Sequence, residues 1–321
     1  MEVIIAEVDI SIIIVNWNTA RVTCDCLQSV YQQTKDIGFE VIAVDNASSD
    51  NSVEMIKDKF PQVNLIENNE NRGFAAANNQ GMAIAKGRYV LLLNPDTVVL
   101  DGAIQKTVTY AESHPQYAAV GCQVWENDKV IQKTCFQFHT PWNFFCGTTG
   151  LARLFPGSRW LGGDKMLWWN RESEQEVEVV SGMFLLVRRE VIEQIGRMDE
   201  SFFIYAEEAD WCYRMSQAGW KNSFWPGAKI IHLDGGSKSS GQLNVKMEVQ
   251  KVKSLLILMR KHYGRLAELM IKGVIIVVSI FKWLLLAMVW LIIPNRCAGK
   301  MAKFAGILRY CITGCYPGLP S

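Results

Sequence analysis

The chain of 321 residues has no CxxC pair, only four histidines, and no glycine in NWNTARVTC (16–24), the segment after its first β-branched run. Each absence excludes something. The nine cysteines (24, 26, 122, 135, 146, 212, 297, 311 and 315) are odd in number, and no histidine stands at ligand spacing from the close pairs 24/26 and 311/315, which argues against a zinc site. MEVIIAEVDISIII lacks the basic region and small-residue cleavage site of a signal peptide, so the expected compartment is a reducing cytosol in which the thiols pack as small apolar side chains. RGFAAANNQG has no Walker lysine and is not GxGxxG, and no GxSxG elbow surrounds Ser181. A nucleotidyltransferase would want a glycine-rich basic loop after the first strand, which 16–24 does not provide.

Hydrophobic residues are 49% and charged residues 20%, which excludes a disordered chain and a disulfide-stapled miniprotein; the length allows one large α/β domain or two smaller ones. The net charge of +1 conceals a division: residues 1–245 hold 21 Lys/Arg against 30 Asp/Glu, and 246–321 hold 12 against 2. The long portion is acidic and the basic residues of the tail are interleaved with apolar runs, so nucleic acid is a poor fit as a partner.

Through residue 125, short β-branched runs (10–15, 41–44, 63–66, 89–93) alternate with helical patterns (20–32, 52–59, 75–85), the signature of βαβ units and a mostly parallel sheet. Right-handed crossovers then bring the strand C-termini to one edge, where open α/β sheets bind ligands. Each strand ends in polar residues: NWN at 16–18, DNASSD at 45–50, ENNENRGFAAANNQG at 67–81 and NPD at 94–96. Such residues also make ordinary turns, but four strands ending this way point to a common site. The aromatic-rich stretch 126–176 reads as a substrate lobe or mobile loop, and regularity returns at 177–196, 202–220 and 228–233.

Three groups carry candidate chemistry. Asp96, at the end of a buried apolar strand, is either a metal ligand or a cap for a helix near 100–102. Glu207, Glu208 and Asp210 follow an aromatic run; repulsion between adjacent carboxylates would raise the pKa of one, as suits a general base, while the same acids also suit a helix N-terminus running to Ala218. His232 closes a short apolar strand before a turn at Asp234, Gly235 and Gly236, and is a structural residue or a ligand.

In their order, SIIIVNWNT, VIAVDNASSDNS, NRGFAAANNQGMAIAKGRYVLLLNPDT, SGMFLLVRR and FFIYAEEADWCYR resemble the inverting family-2 glycosyltransferases of the GT-A fold, most closely their bacterial rhamnosyltransferase-like branch, over about residues 9–265. The resemblance implies an α/β, Rossmann-like mixed sheet with a C-terminal helical membrane-associating segment. Residues 1–245 would form the catalytic domain, with a nucleotide-sugar half at 1–125 and an acceptor half at 126–245, and 246–321 the tail. It implies that Asp45 bonds a pyrimidine base, with Val15, Asn16 and Trp17 lining its pocket and Asn46, Arg72, Gly73, Asn79, Asn94 and Asp96 completing the donor site. Asp96 stands as the last acid of a DxD-type metal motif whose first position is Asn94 here. With His232 it would hold a divalent metal, Mg2+ or Mn2+. Glu208 matches the catalytic base, with Glu207 as the alternative, and Ser181, Gly182 and Met183 lie where the acceptor-side loop is expected. The implied partners are a nucleotide-diphosphate sugar, a lipid-linked saccharide and membrane lipid; a homo-oligomer is left open.

Residues 273–293 carry one charge, Lys282, over 21 residues. That length permits a transmembrane helix, a helix lying in the interface with Lys282 snorkelling, or a buried core helix. Basic residues flank it on both sides, so loop charge sets no orientation. The expected location is the cytoplasmic face of the bacterial inner membrane, where nucleotide sugars are.

Overall fold

A computed structural model describes residues 8–126, 129–233, 245–290 and 294–319. The chain divides into two compact units, one of residues 1–136, 170–200 and 208–239, the other of 137–169, 201–207 and 240–321. The division does not follow a single cut at 245, because 137–169 and 201–207 pack with the C-terminal residues.

The first unit opens with β1 (Ile10–Asn16), α1 (Ala20–Gln33), β2 (Phe39–Asp45), α2 (Ser52–Lys59), β3 (Asn64–Glu67), α3 (Phe74–Ile84), β4 (Tyr89–Leu93), β5 (Thr97–Val99), α4 (Ala103–Ser113), β6 (Tyr117–Glu126), β7 (Val130–Ile131) and β8 (Cys135–Phe136). Two helices of the second unit, α5 (Pro141–Thr149) and α6 (Leu151–Leu154), intervene. The first unit resumes with β9 (Gln175–Val177), β10 (Val179–Val180), β11 (Phe184–Arg188), α7 (Arg189–Ile195), α8 (Glu207–Gln217, its first residue in the other unit) and β12 (Lys221–His232). Then come α9 (Val245–Trp290) and α10 (Pro294–Thr313).

The runs at 12–15 and 89–93 are apolar throughout because these strands are covered on both faces and need no polar side. On α1 the buried positions Ala20, Thr23, Cys24, Leu27 and Val30 recur at helical spacing. The α/β sheet expected from the alternation is present and is mixed, as the resemblance implies, in the order β3-β2-β1-β4-β11-β6-β12-β5. Strands β3, β2, β1 and β4 run parallel, β11 is antiparallel to β4 and β6, β12 is parallel to β6, and β5 is antiparallel to β12. The order reverses at β1, which lies between β2 and β4, and in open α/β sheets such a switch point is where ligands bind, at the strand C-termini. In register Asn16 stands opposite Asp45, and Asp45 opposite Glu67, so the polar strand ends share one edge.

In the second unit α9 breaks helical geometry at Gly264 (φ 83°, ψ 174°), a conformation that glycine adopts without the cost a Cβ would impose. Val249, Leu256, Met259, Ile271, Ile275, Ile307 and Cys311 form its core with Phe144 of α5 packed alongside. α9 is long and apolar enough to cross a membrane, with a mean hydropathy of 2.3 over a window only 11% buried, and Phe281 is 61% exposed. The reading as a buried core helix is thereby overturned. Lys282 places its ammonium 6.0 Å from the ring centroid of Phe304 on α10, so the charge has an aromatic neighbour on the adjoining helix. Residues 291–293 of the apolar run lie outside the described residues.

Candidate active site

The first strand end is a closed hydrogen-bond network. Asn16 Nδ2 donates to Asp45 Oδ1 (2.7 Å) and Ser48 Oγ (3.0 Å), and its Oδ1 accepts from Thr19 (2.6 Å) and Thr23 (2.7 Å). Both donors and both acceptor positions of the Asn16 amide are taken, so its side chain holds Asp45 in place. Asp45 is buried; Ser48 N donates to its second oxygen (2.9 Å), and each oxygen keeps a lone pair for one further donor. Trp17 beside it is exposed and Val15 half-buried.

Asn46 organises the next loop. Its Nδ2 donates to Asn71 Oδ1 (2.9 Å) and the Gly73 carbonyl (3.2 Å), and its Oδ1 accepts from Arg72 N (3.0 Å) and Asn68 Nδ2 (3.2 Å). Gly73 precedes α3 at φ 85°, a left-handed value suited to glycine, and the Arg72 side chain next to it is exposed. Asn79 bonds a later segment: its Nδ2 donates to Met198 O and Glu200 Oε1 (both 2.9 Å) and its Oδ1 accepts from Met198 N (3.0 Å). Both side chains are buried, and these bonds hold the loop around Asn46 and join Asn79 to the 198–200 segment.

Asp96 does not cap a helix; the next one, α4, begins at Ala103 after Gly102, and Asp96 lies in the turn before β5. It faces His232 instead. His232 pairs in register with Thr97, Leu233 N donates to Asp96 O (2.8 Å), and His232 Nε2 stands 3.2 Å from Asp96 Oδ2. Two ligands on adjacent positions of one ion, each roughly 2.1 Å from it, lie roughly 3 Å apart, so the pair fits a shared divalent cation. His232 Nδ1, the ring nitrogen that does not face Asp96, is buried with no hydrogen-bond partner among the described residues. No cluster of three metal-ligating side chains occurs among the described residues, so phosphate oxygens and water would have to complete the sphere. The turn expected at 234–236 lies outside the described residues.

The acceptor-side loop is bonded on both flanks. Asn94 N donates to Met183 O (3.1 Å), and a Cβ on Gly182 would stand 3.3 Å from the Phe74 ring, so the loop lies against the start of α3. Ser181 is buried, its backbone N–H donating to Thr134 O (2.9 Å). One residue earlier, the Val180 backbone is hydrogen-bonded to the Cys212 thiol of α8, whose pKa burial pushes up to about 12. Met183 of the loop is thus bonded to the segment before Asp96, while Val180, in the strand that precedes the loop, is bonded to α8.

α8 does begin at Glu207, so the acids sit on its first turn. Asp210 is a structural member: fully buried, its Oδ2 accepts from Arg214 Nε (2.9 Å), while Arg214 caps the carbonyls of Ile195 (2.8 Å) and Arg197 (2.6 Å). Just before the acids, Tyr205 and Ala206 are left-handed (φ 71° and 70°), a strained pair for side chains of this kind. Nothing in the residue types signals that turn. In the second unit, Ser254 Oγ of α9 donates to Ile204 O (2.8 Å) and the Lys251 ammonium lies 5.1 Å from the Tyr205 ring centroid. Glu248 accepts from Lys251 (2.8 Å) and pairs with Lys303 of α10. Burial works to raise the Glu248 pKa, but the bonds from Lys251 and Lys303 outweigh it and hold the carboxyl below its ordinary value.

Residues 11–196 match the family described as glycosyl transferase family 2. A Mycobacterium tuberculosis protein named N-acetylglucosaminyl-diphospho-decaprenol L-rhamnosyltransferase is 28% identical over 208 residues, 60% of this chain and 66% of that protein. The low-salt glycan biosynthesis hexosyltransferase Agl10 of Haloferax volcanii is 25% identical over 210 residues, 64% of this chain and 61% of its own length. The matches therefore span just under two thirds of these relatives. Among solved structures, a Pyrobaculum calidifontis mannosyltransferase in complex with GDP-Man and Mn2+ superposes with a TM-score of 0.54 at 15% identity, covering 96% of this chain and 88% of its own. The α/β unit thus has the mixed sheet of GT-A glycosyltransferases.

Proposed function

The chain belongs to glycosyl transferase family 2, and from that membership we propose an inverting glycosyltransferase that moves L-rhamnose from dTDP-L-rhamnose to a lipid-linked saccharide during surface-polysaccharide assembly. The observation that supports this reading above the others lies in the turn after β4 and at the end of β12: Asp96 Oδ2 and His232 Nε2 stand 3.2 Å apart, and Met183 O accepts from Asn94 N two residues before Asp96.

In this reading Asp45 accepts the ring N–H of thymine through a free lone pair, beside the backbone of Val15 to Trp17. Arg72 and the start of α3 meet the diphosphate. Asp96 and His232 would hold a divalent cation, which when bound supplies charge for the leaving diphosphate. Glu208 takes the proton of the acceptor hydroxyl as that oxygen attacks the anomeric carbon from the face opposite the nucleotide; one displacement inverts the centre and needs no second nucleophile. The lipid-linked acceptor agrees with the name of the mycobacterial relative, and the apolar C-terminal helix would keep the enzyme on the cytoplasmic face of the bacterial inner membrane.

A second donor class, UDP-hexose or UDP-galactofuranose, is kept because Asp45 reads a ring face that uracil and thymine share. A catalytically silent membrane-docked module is the remaining alternative. A panel of nucleotide sugars with Mg2+ or Mn2+ separates them. Metal-dependent transfer from dTDP-L-rhamnose is expected; turnover confined to UDP-sugars would replace the donor, and no turnover on any donor would leave the silent module.

A further inference from the structure

Between the two stretches of the sheet unit, residues 137–169 carry Arg153, Arg159 and Lys165 against the single acid Asp164, whereas the first 245 residues as a whole have an excess of acid. The structure assigns this stretch to the unit that also holds the basic C-terminal residues. Its apolar side chains point outward: Leu154 is 73% exposed, Phe155 50% and Trp160 69%.

This protrusion is built and not loose. Trp142 stacks near Trp160 (centroids 4.9 Å) and donates through Nε1 to the Trp160 carbonyl (3.0 Å), and Phe145 lies 5.8 Å from Trp142. Ser158 N donates to Phe155 O (3.1 Å), and Ser158 Oγ accepts from Leu161 N (3.0 Å), closing the turn that carries the exposed residues. Phe144, on the same helix as Trp142 and Phe145, packs against the core of α9 and α10. Platform and apolar helices therefore belong to one body.

We propose that Arg153, Leu154, Phe155, Arg159 and Trp160 form a second lipid-contacting surface that docks on an anionic phospholipid bilayer. Large apolar side chains held rigidly in water are costly unless something covers them. Leu, Phe and Trp interspersed with arginine suit the headgroup boundary, where the rings enter the acyl edge and the guanidinium groups meet lipid phosphate. The charge sign matches an anionic leaflet. The proposal does not depend on the transfer chemistry.

The test uses the full chain reconstituted in vesicles of phosphatidylcholine with or without phosphatidylglycerol, each with acyl-brominated lipid as quencher. Since Trp160 is one of 11 tryptophans, the readout is the emission difference between the native chain and Trp160→Phe, with matching melting curves as the folding control. That difference emission is expected to be quenched by brominated lipid, at least about two-fold more in anionic vesicles, and the excess is expected to vanish in Arg153→Gln/Arg159→Gln. Difference emission unmoved by brominated lipid would overturn the proposal. So would protection of Trp160 by a lipid-free oligosaccharide and not by vesicles, which would make the platform an acceptor site.

Discussion

The two units handle polar and apolar groups in opposite ways. In the sheet unit, Asn16, Asn46 and Asn79 use their hydrogen-bonding capacity internally, and the polar atoms at the strand edge are fixed by neighbours. In the helical unit, Leu154, Trp160 and Phe281 are exposed, and the charged residues beside them in the sequence, Arg153, Arg159 and Lys282, are basic. Preorganised dipoles suit chemistry, which needs groups held at fixed positions before reaction. Exposed apolar area beside positive charge suits a surface that another phase covers. The net charge of +1 is the sum of these two designs.

The largest effect should come from the sheet unit alone. Glu208→Gln is expected to lower transfer by on the order of 10²–10⁴-fold, the usual contribution of a general base, with donor affinity by calorimetry unchanged. A larger loss in Glu207→Gln than in Glu208→Gln would exchange the two roles.

A smaller effect should cross from the helical unit through the chain. Ser254→Ala leaves the Ile204 carbonyl without its donor, a cost of about 1–3 kcal/mol for a buried group. It should loosen the left-handed turn leading into α8: kcat should fall with donor KM unchanged, and Ser254→Thr should restore it. A change in donor KM instead would mean that the turn does not act through the acids.

The Glu248 cluster gives a pH signature confined to the helical unit. A carboxyl held below its ordinary pKa stabilises the fold above its unfolded value of about 4.3, and that stability is lost as pH falls through the folded value. Lys251, which burial would lower but Glu248 raises, contributes stability that is lost only as pH rises through its elevated value. Melting temperature should therefore drop below about pH 4 in the native chain and more shallowly in Glu248→Gln; parallel curves would remove the cluster from the account.

The smallest effect concerns the thiols. Eight of the nine cysteines are buried and Cys315 is exposed; burial pushes Cys26 and Cys135 up to about 12. Brief alkylation of the native protein should label Cys315 and leave transfer intact. Early labelling of Cys26 would show the sheet unit to be looser than described.

Much of the sheet was legible because strands buried on both faces leave continuous apolar runs, as at 12–15 and 89–93. Asp96 and His232 were legible as polar residues ending apolar strands, although their 3.2 Å approach depends on the antiparallel pairing of β12 with β5, between segments far apart in the chain. The engaged amides of Asn46 and Asn79 were not legible, since an asparagine that holds a loop and one that meets a ligand look alike in sequence. Nor was the left-handed turn at Tyr205 and Ala206, which tertiary contacts impose against the preference of both residues. The place of 137–169 beside the C-terminal helices is likewise a packing fact, hinted at only by its local charge.

The most direct test of the division of labour measures two quantities on the same preparations: sugar transfer, and quenching of Trp160 emission by brominated anionic vesicles. Glu208→Gln should abolish transfer and leave the quenching unchanged, while Arg153→Gln/Arg159→Gln should weaken the quenching and leave single-turnover transfer to a detergent-solubilised acceptor intact. Loss of both properties in either variant would contradict the separation of chemistry and lipid contact between the two units.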